Sequence, residues 1–462
     1  MAARYRLFVV VLLVALTVPR MTQRGMFGDG LIHATIARNM SIGVGSFWTP
    51  RYTETTYREY FEHPPVGFAF EGLAFRVLGD RVFVERLFCL FVFGLTALVM
   101  VGIWRRLQPA DVDWLPLFYW VLPSIVTWAV INNMLEVMQT LFTGAAVLAL
   151  LHASRASAAA RAVTWAAAAG VGIVAAVLTK GPVGLFPLAV PALLLLLPDG
   201  PQVKRVALVT GAMVAAVALC GLLLYMYEPS RHALSEYLRI QLAPSLRGER
   251  EVNPDPFKVP GHLGFGVVAR MLVIAGVFWL IGWRRSTTPT PWRVASFFLA
   301  TGLCASLPIA ISPKLVGHYF LPSVPFFALG FAALSLGPAL ALIGSAGRVA
   351  RWSPIVLAVV LSVATIVVIV TKGSLEPRDK ALLRDLDAIA PAVPEGLTIG
   401  ACQSATSDFR LQSYVNRYWR VSLEARDEPV NGWLLQNDAT CTAPPSCRRA
   451  AAGESLALLD CR

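Results

Sequence analysis

The chain is short of charge. Only 15% of its 462 residues are Asp, Glu, Lys or Arg, where a soluble protein of this length carries roughly 25%. That deficit excludes an ordinary soluble enzyme. It also lacks a Walker loop, a G-x-G-x-x-G following a strand, and an H-E-x-x-H, so soluble nucleotide-sugar chemistry finds no support. No internal repeat of the kind transporters show is present. No small-x-small cleavage site follows the basic, apolar N-terminus, since Val18-Pro19-Arg20-Met21 is a poor one. The segment reads as an uncleaved first span rather than a signal peptide.

What the chain does have is hydrophobic residues, 56% of the total, in runs long enough to cross a bilayer. Eleven spans are expected, at about 5–19, 82–104, 113–131, 134–152, 162–179, 182–198, 206–226, 263–283, 293–311, 318–343 and 353–371. They should be helical, because lipid offers the backbone no hydrogen-bond partners. Pro116 and Pro123 shorten the third. The net charge of +12 divides unevenly, +13 over residues 1–371 and −1 over 372–462. The excess lies in short loops rather than in a nucleic-acid-binding surface. Arg105-Arg106, Arg155 and Arg161, Lys204-Arg205, Arg284-Arg285 with Arg293, and Arg348 with Arg351 fall on alternate loops. The positive-inside rule then places the N-terminus inside. Residues 20–81, residues 227–262 and the C-terminal segment fall outside.

After 372 the hydropathy drops. Arg378–Ala390 has helical periodicity, and strand-like runs follow at Leu397–Ile399, Tyr418–Leu423, Gly432–Leu435 and Leu456–Leu459. Residues 373–462 are therefore expected to form a small α/β domain beside a membrane domain of residues 1–372. Four of the seven cysteines lie here: Cys402, Cys441, Cys447 and Cys461. In an exported domain an even number favours disulfides. Cys441–Cys447 would close a short loop and Cys402–Cys461 would tie two strands, as one of three possible connectivities. Free thiols are the alternative; a zinc site is disfavoured because no His occurs in 376–462.

The first outer loop carries the chemistry. Gly28-Asp29-Gly30 follows span one and opens a helix-like stretch, Leu31–Met40. His63-Pro64-Pro65 comes about 35 residues later, ahead of an amphipathic Val66–Leu78. Read plainly, Asp29 is a helix N-cap and the proline pair a helix start. Glu136, in Asn132-Asn133-Met134-Leu135-Glu136, is an acidic residue inside a predicted span. Such groups are costly and default to a functional reading, with snorkelling to the interface as the alternative. Lys180-Gly181-Pro182 and Lys314–Tyr319 place basic groups at outside turns, where lipid phosphate or ordinary head groups could meet them.

An acidic residue just past span one, a basic-Pro-Pro about 35 residues on, and the two basic outer turns together resemble the GT-C polyprenyl-phosphate-sugar glycosyltransferases. The resemblance is to the protein O-mannosyltransferase and lipid A aminoarabinose transferase group, glycosyltransferase family 39. It implies an all-α polytopic membrane enzyme of the bacterial cytoplasmic membrane, C-terminus outside. A sugar would pass from a polyprenyl phosphate to a protein, lipid A or glycan acceptor, with inversion. Asp29 takes the place of the base. His63, Lys180, Lys314, His318 and Tyr319 would face the donor phosphate, although many relatives carry Lys where His63 stands. Glu136 would bind acceptor or support Asp29. Arg38 and Arg58, with Tyr57 and Tyr60, are weaker candidates for sugar or phosphate contact. A second acidic residue often neighbours the base in this family. Here Asp29 is flanked by Gly28 and Gly30, so a paired-acid metal site is unsupported and any divalent-metal need stays open. The stretch Ser407–Tyr414 resembles a recurring feature of bacterial tails in this group. A polysaccharide polymerase or ligase and a lipid or sugar flippase are the rival readings.

Overall fold

The computed structural model describes residues 2–462 except Glu251, Ala346, Arg348, Val349, 375–377 and 438–443. Among the described residues, nine helices are long and apolar enough to cross a membrane. The protein is a multi-pass all-α membrane bundle with a small C-terminal α/β unit. The first eight helices are α1 (Ala2–Met21), α2 (Gly28–Ser41), α3 (Val66–Leu78), α4 (Val84–Leu107), α5 (Trp114–Val121), α6 (Ser124–Ile131), α7 (Leu135–Arg155) and α8 (Ala159–Lys180). Later spans are Val203–Met226, Pro260–Arg285, Trp292–Ala310, Gly317–Ser345 and Ser353–Lys372.

Two of the eleven expected spans differ from simple rods. The third breaks, with Ala110–Val121 and α6 meeting at 77°. Pro123 at the break is extended and has no N–H to continue a helical ladder. The sixth, Pro182–Leu196, is too short an apolar helix to count as a span. Most of it is 3-10 helix, at Pro182–Ala189 and Leu194–Leu196, and Pro187 and Pro191 lie inside it. The segment 227–262, expected outside, is partly helical, with helices at Glu228–Tyr237 and Ala243–Arg247.

The arginine-rich loops gather at one end of the bundle. Arg6 and Arg105 pair with the buried Asp113 at 2.7 and 2.5 Å. Arg106 contacts His152 at 2.7 Å, Arg155 donates to the Arg106 carbonyl, and Arg4 donates to the Arg351 carbonyl. Arg348 lies outside the described residues. The opposite end carries α2, α3 and the C-terminal unit.

That unit holds a five-stranded mixed sheet of β1 (Thr398–Ala401), β2 (Ser422–Ala425), β3 (Trp433–Asn437), β4 (Arg448–Ala452) and β5 (Leu456–Asp460), in the order β2-β1-β3-β5-β4. Helices Lys380–Ile389 and Phe409–Trp419 complete it. One expectation is corrected and one strand is added. Tyr418 and Trp419 end a helix rather than begin a strand, because the buried Leu411, Tyr414 and Val415 with Tyr418 follow a helical spacing. The edge strand β4 is largely exposed and shows no apolar alternation to read.

The cysteine pairing is also corrected. Cys447 is bonded to Cys461, which overturns both Cys441–Cys447 and Cys402–Cys461. The cause is register: Arg448 faces Asp460 across the antiparallel β4–β5 pair, which brings residues 447 and 461 together. Cys402 is likewise disulfide-bonded; Cys441 lies outside the described residues.

The unit is welded onto the first outer loop. Its apolar core continues onto Met26 and Leu31. Arg417, nearly inaccessible, reaches Asp80 at 2.7 Å and Glu85 at 3.0 Å. Tyr414 Oη accepts from Met26 N–H at 2.9 Å and donates to Asp379 at 2.8 Å, so the Ser407–Tyr414 stretch makes a structural contact. Removing one partner of a buried ion pair leaves the other uncompensated. Arg417→Ala is accordingly expected to destabilise the protein by about 3–5 kcal/mol, read as a lower unfolding midpoint in detergent. Adding Glu85→Gln should recover part of the loss.

Candidate active site

One turn positions two acidic residues. Between α6 and α7, Asn132 Oδ1 accepts the Phe27 N–H at 2.8 Å and Asn133 Nδ2 donates to the Gly30 carbonyl at 3.2 Å. Asn133 sits at φ +53, a left-handed conformation Asn tolerates. A methyl at Gly30 would overlap the Asn132 carbonyl, so the glycine after Asp29 is needed for this approach. The turn thereby holds the start of α2, and it launches α7 with Glu136 in its first turn.

Asp29 is not an N-cap. Phe27 occupies that position and Asp29 the second helical one. Among the described residues its carboxylate has no hydrogen bond and no ion pair, yet it lies in the field of Lys180, Glu136, Lys314 and Glu62. Burial is the largest influence and raises its pKa above the ordinary aspartate value.

The residues that sequence placed at separate outer turns converge. Glu136, 1% exposed, has Oε1 3.3 Å from Lys180 Nζ and 3.7 Å from His318 Nε2. It is buried and ion-paired rather than snorkelling, and neither oxygen has a hydrogen bond of good geometry. Lys180 Nζ lies 3.2 Å from His63 Nε2 and 5.7 Å from the Tyr319 ring centre. Burial, then the nearby Lys180, pushes the His63 pKa well down. A neutral His63 accepts from Lys180 through Nε2, leaving the proton on Nδ1, which is buried without a partner. His318 stacks on Trp128 at 5.4 Å.

These groups face a cavity of about 380 Å³. His63, Glu136, Lys180, Lys314 and Tyr319 line its polar part. Pro182, Val183, Leu242, Leu246 and Ile309 line its apolar part. Gly181, at φ +106, turns the chain beneath the Tyr237 hydroxyl, which would overlap any side chain there. Arg250 reaches Glu62 at 2.7 Å, hooking the 227–262 segment onto the first loop beside His63. Among the described residues no group of three or more His, Cys, Asp or Glu side chains could hold a metal ion.

Two weaker candidates lie elsewhere. Arg38, 1% exposed, donates to the carbonyls of Asn416 and Arg417 and to Asn416 Oδ1. It joins the C-terminal unit to α2 and does not line this cavity. Arg58 is exposed and donates to the Glu54 carbonyl. Tyr57 donates to Glu62 at 3.3 Å, and Tyr60 packs edge-on against His63 and Phe68.

Three residues were passed over in the sequence. Gln139 lines the cavity and bonds the Ala176 and Gly181 carbonyls; it lies one turn beyond Glu136. His33, one turn beyond Asp29, contacts the Asn133 carbonyl at 3.2 Å and the His63 ring edge-on. Burial lowers its pKa to about 3, so it stays neutral. The i, i+3 and i, i+4 spacings were the available signals. Glu71 on α3 accepts from Asn133 Nδ2 at 2.8 Å, and burial lifts its pKa to about 8. A carboxyl whose folded pKa is raised contributes stability at low pH that is lost as pH rises through the folded value. Stability should therefore fall between about pH 4.5 and pH 8, and Glu71→Gln should flatten that slope in unfolding midpoints measured across the range.

The bundle, its outer-loop helices and the docked sheet unit together form the GT-C fold. Among solved structures, the chain is similar to ArnT from Cupriavidus metallidurans bound to undecaprenyl phosphate, with a TM-score of 0.65 and 16% identity, covering 99% of this chain and 97% of that one. The apo state of the same protein gives 0.63 over the same shares. The apo oligosaccharyltransferase of Archaeoglobus fulgidus gives 0.51 at 12% identity, covering 94% of this chain and 69% of its own. No protein-family model and no curated protein matches the chain.

Proposed function

We propose that this protein is a membrane glycosyltransferase that takes a sugar from a polyprenyl-phosphate donor. The observation carrying this reading is an unpartnered carboxylate, Asp29, in the field of two lysines that line an amphipathic cavity. A lipid phosphate suits such a cavity: its chain meets the apolar wall and its anion meets Lys180 and Lys314. The likeness to ArnT bound to undecaprenyl phosphate supports the same donor class.

In the step itself, an acceptor oxygen attacks the anomeric carbon as the bond from that carbon to the phosphate oxygen breaks, inverting the centre. The polyprenyl phosphate leaves with the electron pair. If the acceptor is a hydroxyl, its proton passes to Asp29; an ionised phosphate acceptor needs no base, and Asp29 then orients it. Lys180, Lys314 and the His63 Nδ1–H stabilise the charge growing on the leaving phosphate. Glu136, 3.3 Å from the ammonium, keeps Lys180 in place, with His318 packed 3.7 Å away. On this reading the site opens on the outer face of a bacterial cytoplasmic membrane, with residues 373–462 outside and residues 1–372 as the catalytic domain.

The test is release of polyprenyl phosphate by the purified full-length protein given polyprenyl-phosphate sugars and an envelope extract as acceptor source, with and without chelator. Release is expected. Movement of the intact donor between leaflets of proteoliposomes, without release, would replace the transferase reading by the flippase one.

A further inference from the structure

At the arginine-rich end of the bundle, a cavity of about 340 Å³ lies between α1, α5 and the spans Pro260–Arg285, Gly317–Ser345 and Ser353–Lys372. It shares no lining residue with the lysine cavity. Five aromatic side chains line it. Tyr5 stacks on Trp114 at 4.5 Å and Phe8 packs on Phe118 at 6.3 Å, with Phe278 completing the set. Among the described residues no charged side chain lines it. Two of its lining residues, Ser353 and Leu357, are exposed, so the cavity reaches the bundle surface along the last span. An apolar hollow of this volume at a membrane-facing surface suits a hydrocarbon chain.

The rim is cationic. Arg4, one residue before Tyr5, lies 3.9 Å from the Trp352 ring centre and donates to the Arg351 carbonyl at 3.1 Å. Trp352 in turn precedes Ser353 of the cavity wall. Arg4 thus bridges the two chain segments that frame the mouth, and it has no carboxylate partner among the described residues. On the next side of the cavity, Asp113 precedes Trp114 and is shared by Arg6 at 2.7 Å and Arg105 at 2.5 Å. One carboxylate against two guanidiniums leaves a positive surplus, and the side chains of both arginines are more than two-fifths exposed, at 42% and 47%. A tryptophan at the mouth is the residue that favours the head-group layer. Arginines at that level attract anionic lipid.

We propose that this cavity is a binding site for one anionic glycerophospholipid of the leaflet at the arginine-rich end. An acyl chain lies among the aromatic rings, and the head-group phosphate meets Arg4 in a charge-assisted contact. Charge complementarity sets the occupant: a zwitterionic lipid would bring its own cation to a rim already in positive surplus. The lipid is structural. Over its whole length α1 buries only Val9, Thr17 and Pro19, so a chain wedged between α1, α5 and the last span supplies contacts that the protein does not. A ligand that binds only the folded state stabilises it by mass action. The site is separate from the donor chemistry and does not depend on it.

The test uses the full chain, delipidated in neutral detergent. Adducts are counted by native mass spectrometry after addition of phosphatidylglycerol, phosphatidylcholine or undecaprenyl phosphate, and unfolding midpoints are measured on the same samples. Phosphatidylglycerol should bind about tenfold more tightly than phosphatidylcholine and should raise the midpoint more. Arg4→Gln should weaken its adduct by about tenfold and remove the added stabilisation, with undecaprenyl phosphate binding unchanged. Arg4→Lys, which keeps the charge, should retain most of the binding and guards against misfolding as the cause. Leu357→Trp adds bulk at the cavity while leaving the rim charge intact, and should also weaken the adduct. Lys204→Gln, which removes an exposed charge from another basic loop, should have no effect. Equal binding of the two phospholipids would overturn the site, as would phosphatidylglycerol binding that survives either Arg4→Gln or Leu357→Trp. Equal loss in Lys204→Gln would reduce the effect to diffuse attraction by the basic surface and also overturn it. Displacement of bound phosphatidylglycerol by equimolar undecaprenyl phosphate would give the cavity to a polyprenyl lipid and overturn the occupant proposed.

Discussion

Asp29→Asn is expected to lower polyprenyl phosphate release by about 10²–10⁴-fold with a hydroxyl acceptor, the usual contribution of a positioned base. The donor KM should barely move, because no lining residue of the donor cavity is lost and the amide keeps the shape of the side chain. The wild-type rate should also carry a pH signature. The base works ionised, and burial raises the pKa of Asp29. Activity should therefore fall as pH drops through a value above the usual aspartate range, and the Asn variant should lose that limb. Release in the variant within about threefold of wild type would remove Asp29 from the role of base; a phosphate acceptor would have to be demonstrated before any other role were kept.

Lys180→Ala should have the second-largest effect, because Lys180 serves stability and chemistry together. Its ammonium is the cation nearest a carboxylate that is 1% exposed. Removing it leaves Glu136 charged and buried, at a cost of about 3–5 kcal/mol. It also removes a donor from the leaving phosphate, worth about 10²–10³-fold in turnover. The double variant Lys180→Ala/Glu136→Gln separates these effects. The neutral amide no longer needs the cation, so the unfolding midpoint should return most of the way while turnover stays low. If turnover returned with stability, Lys180 would be a structural partner of Glu136 and nothing more.

These expectations rest on a site that was partly legible in the chain. Asp29, His63, Lys180, Lys314 and His318 could each be singled out because they are polar residues at the ends of apolar runs. What could not be read was that Lys180, at the end of α8, touches both His63 in the first outer loop and Glu136 at the start of α7. Arg38 shows the converse. It was a weaker candidate for sugar or phosphate contact on the same helix as Asp29, whereas its guanidinium bonds the carbonyls of Asn416 and Arg417. A contact across more than 370 residues of chain leaves no local pattern.

The sequence by itself determined that the chain is a multi-pass helical bundle, where most helices begin and end, which loops are basic, and that an α/β unit follows. Those properties depend on hydropathy, helical period and proline position, which are local sums along the chain. Tertiary structure alone decided the bonding of Cys447 to Cys461 through the β4–β5 register, the locking of α2 by the Asn132–Asn133 turn, and the convergence of Lys180, Glu136 and His63 on one cavity. Each of these is set by which surfaces pack together, and packing joins residues whose separation along the chain carries no energetic signal until the chain has folded.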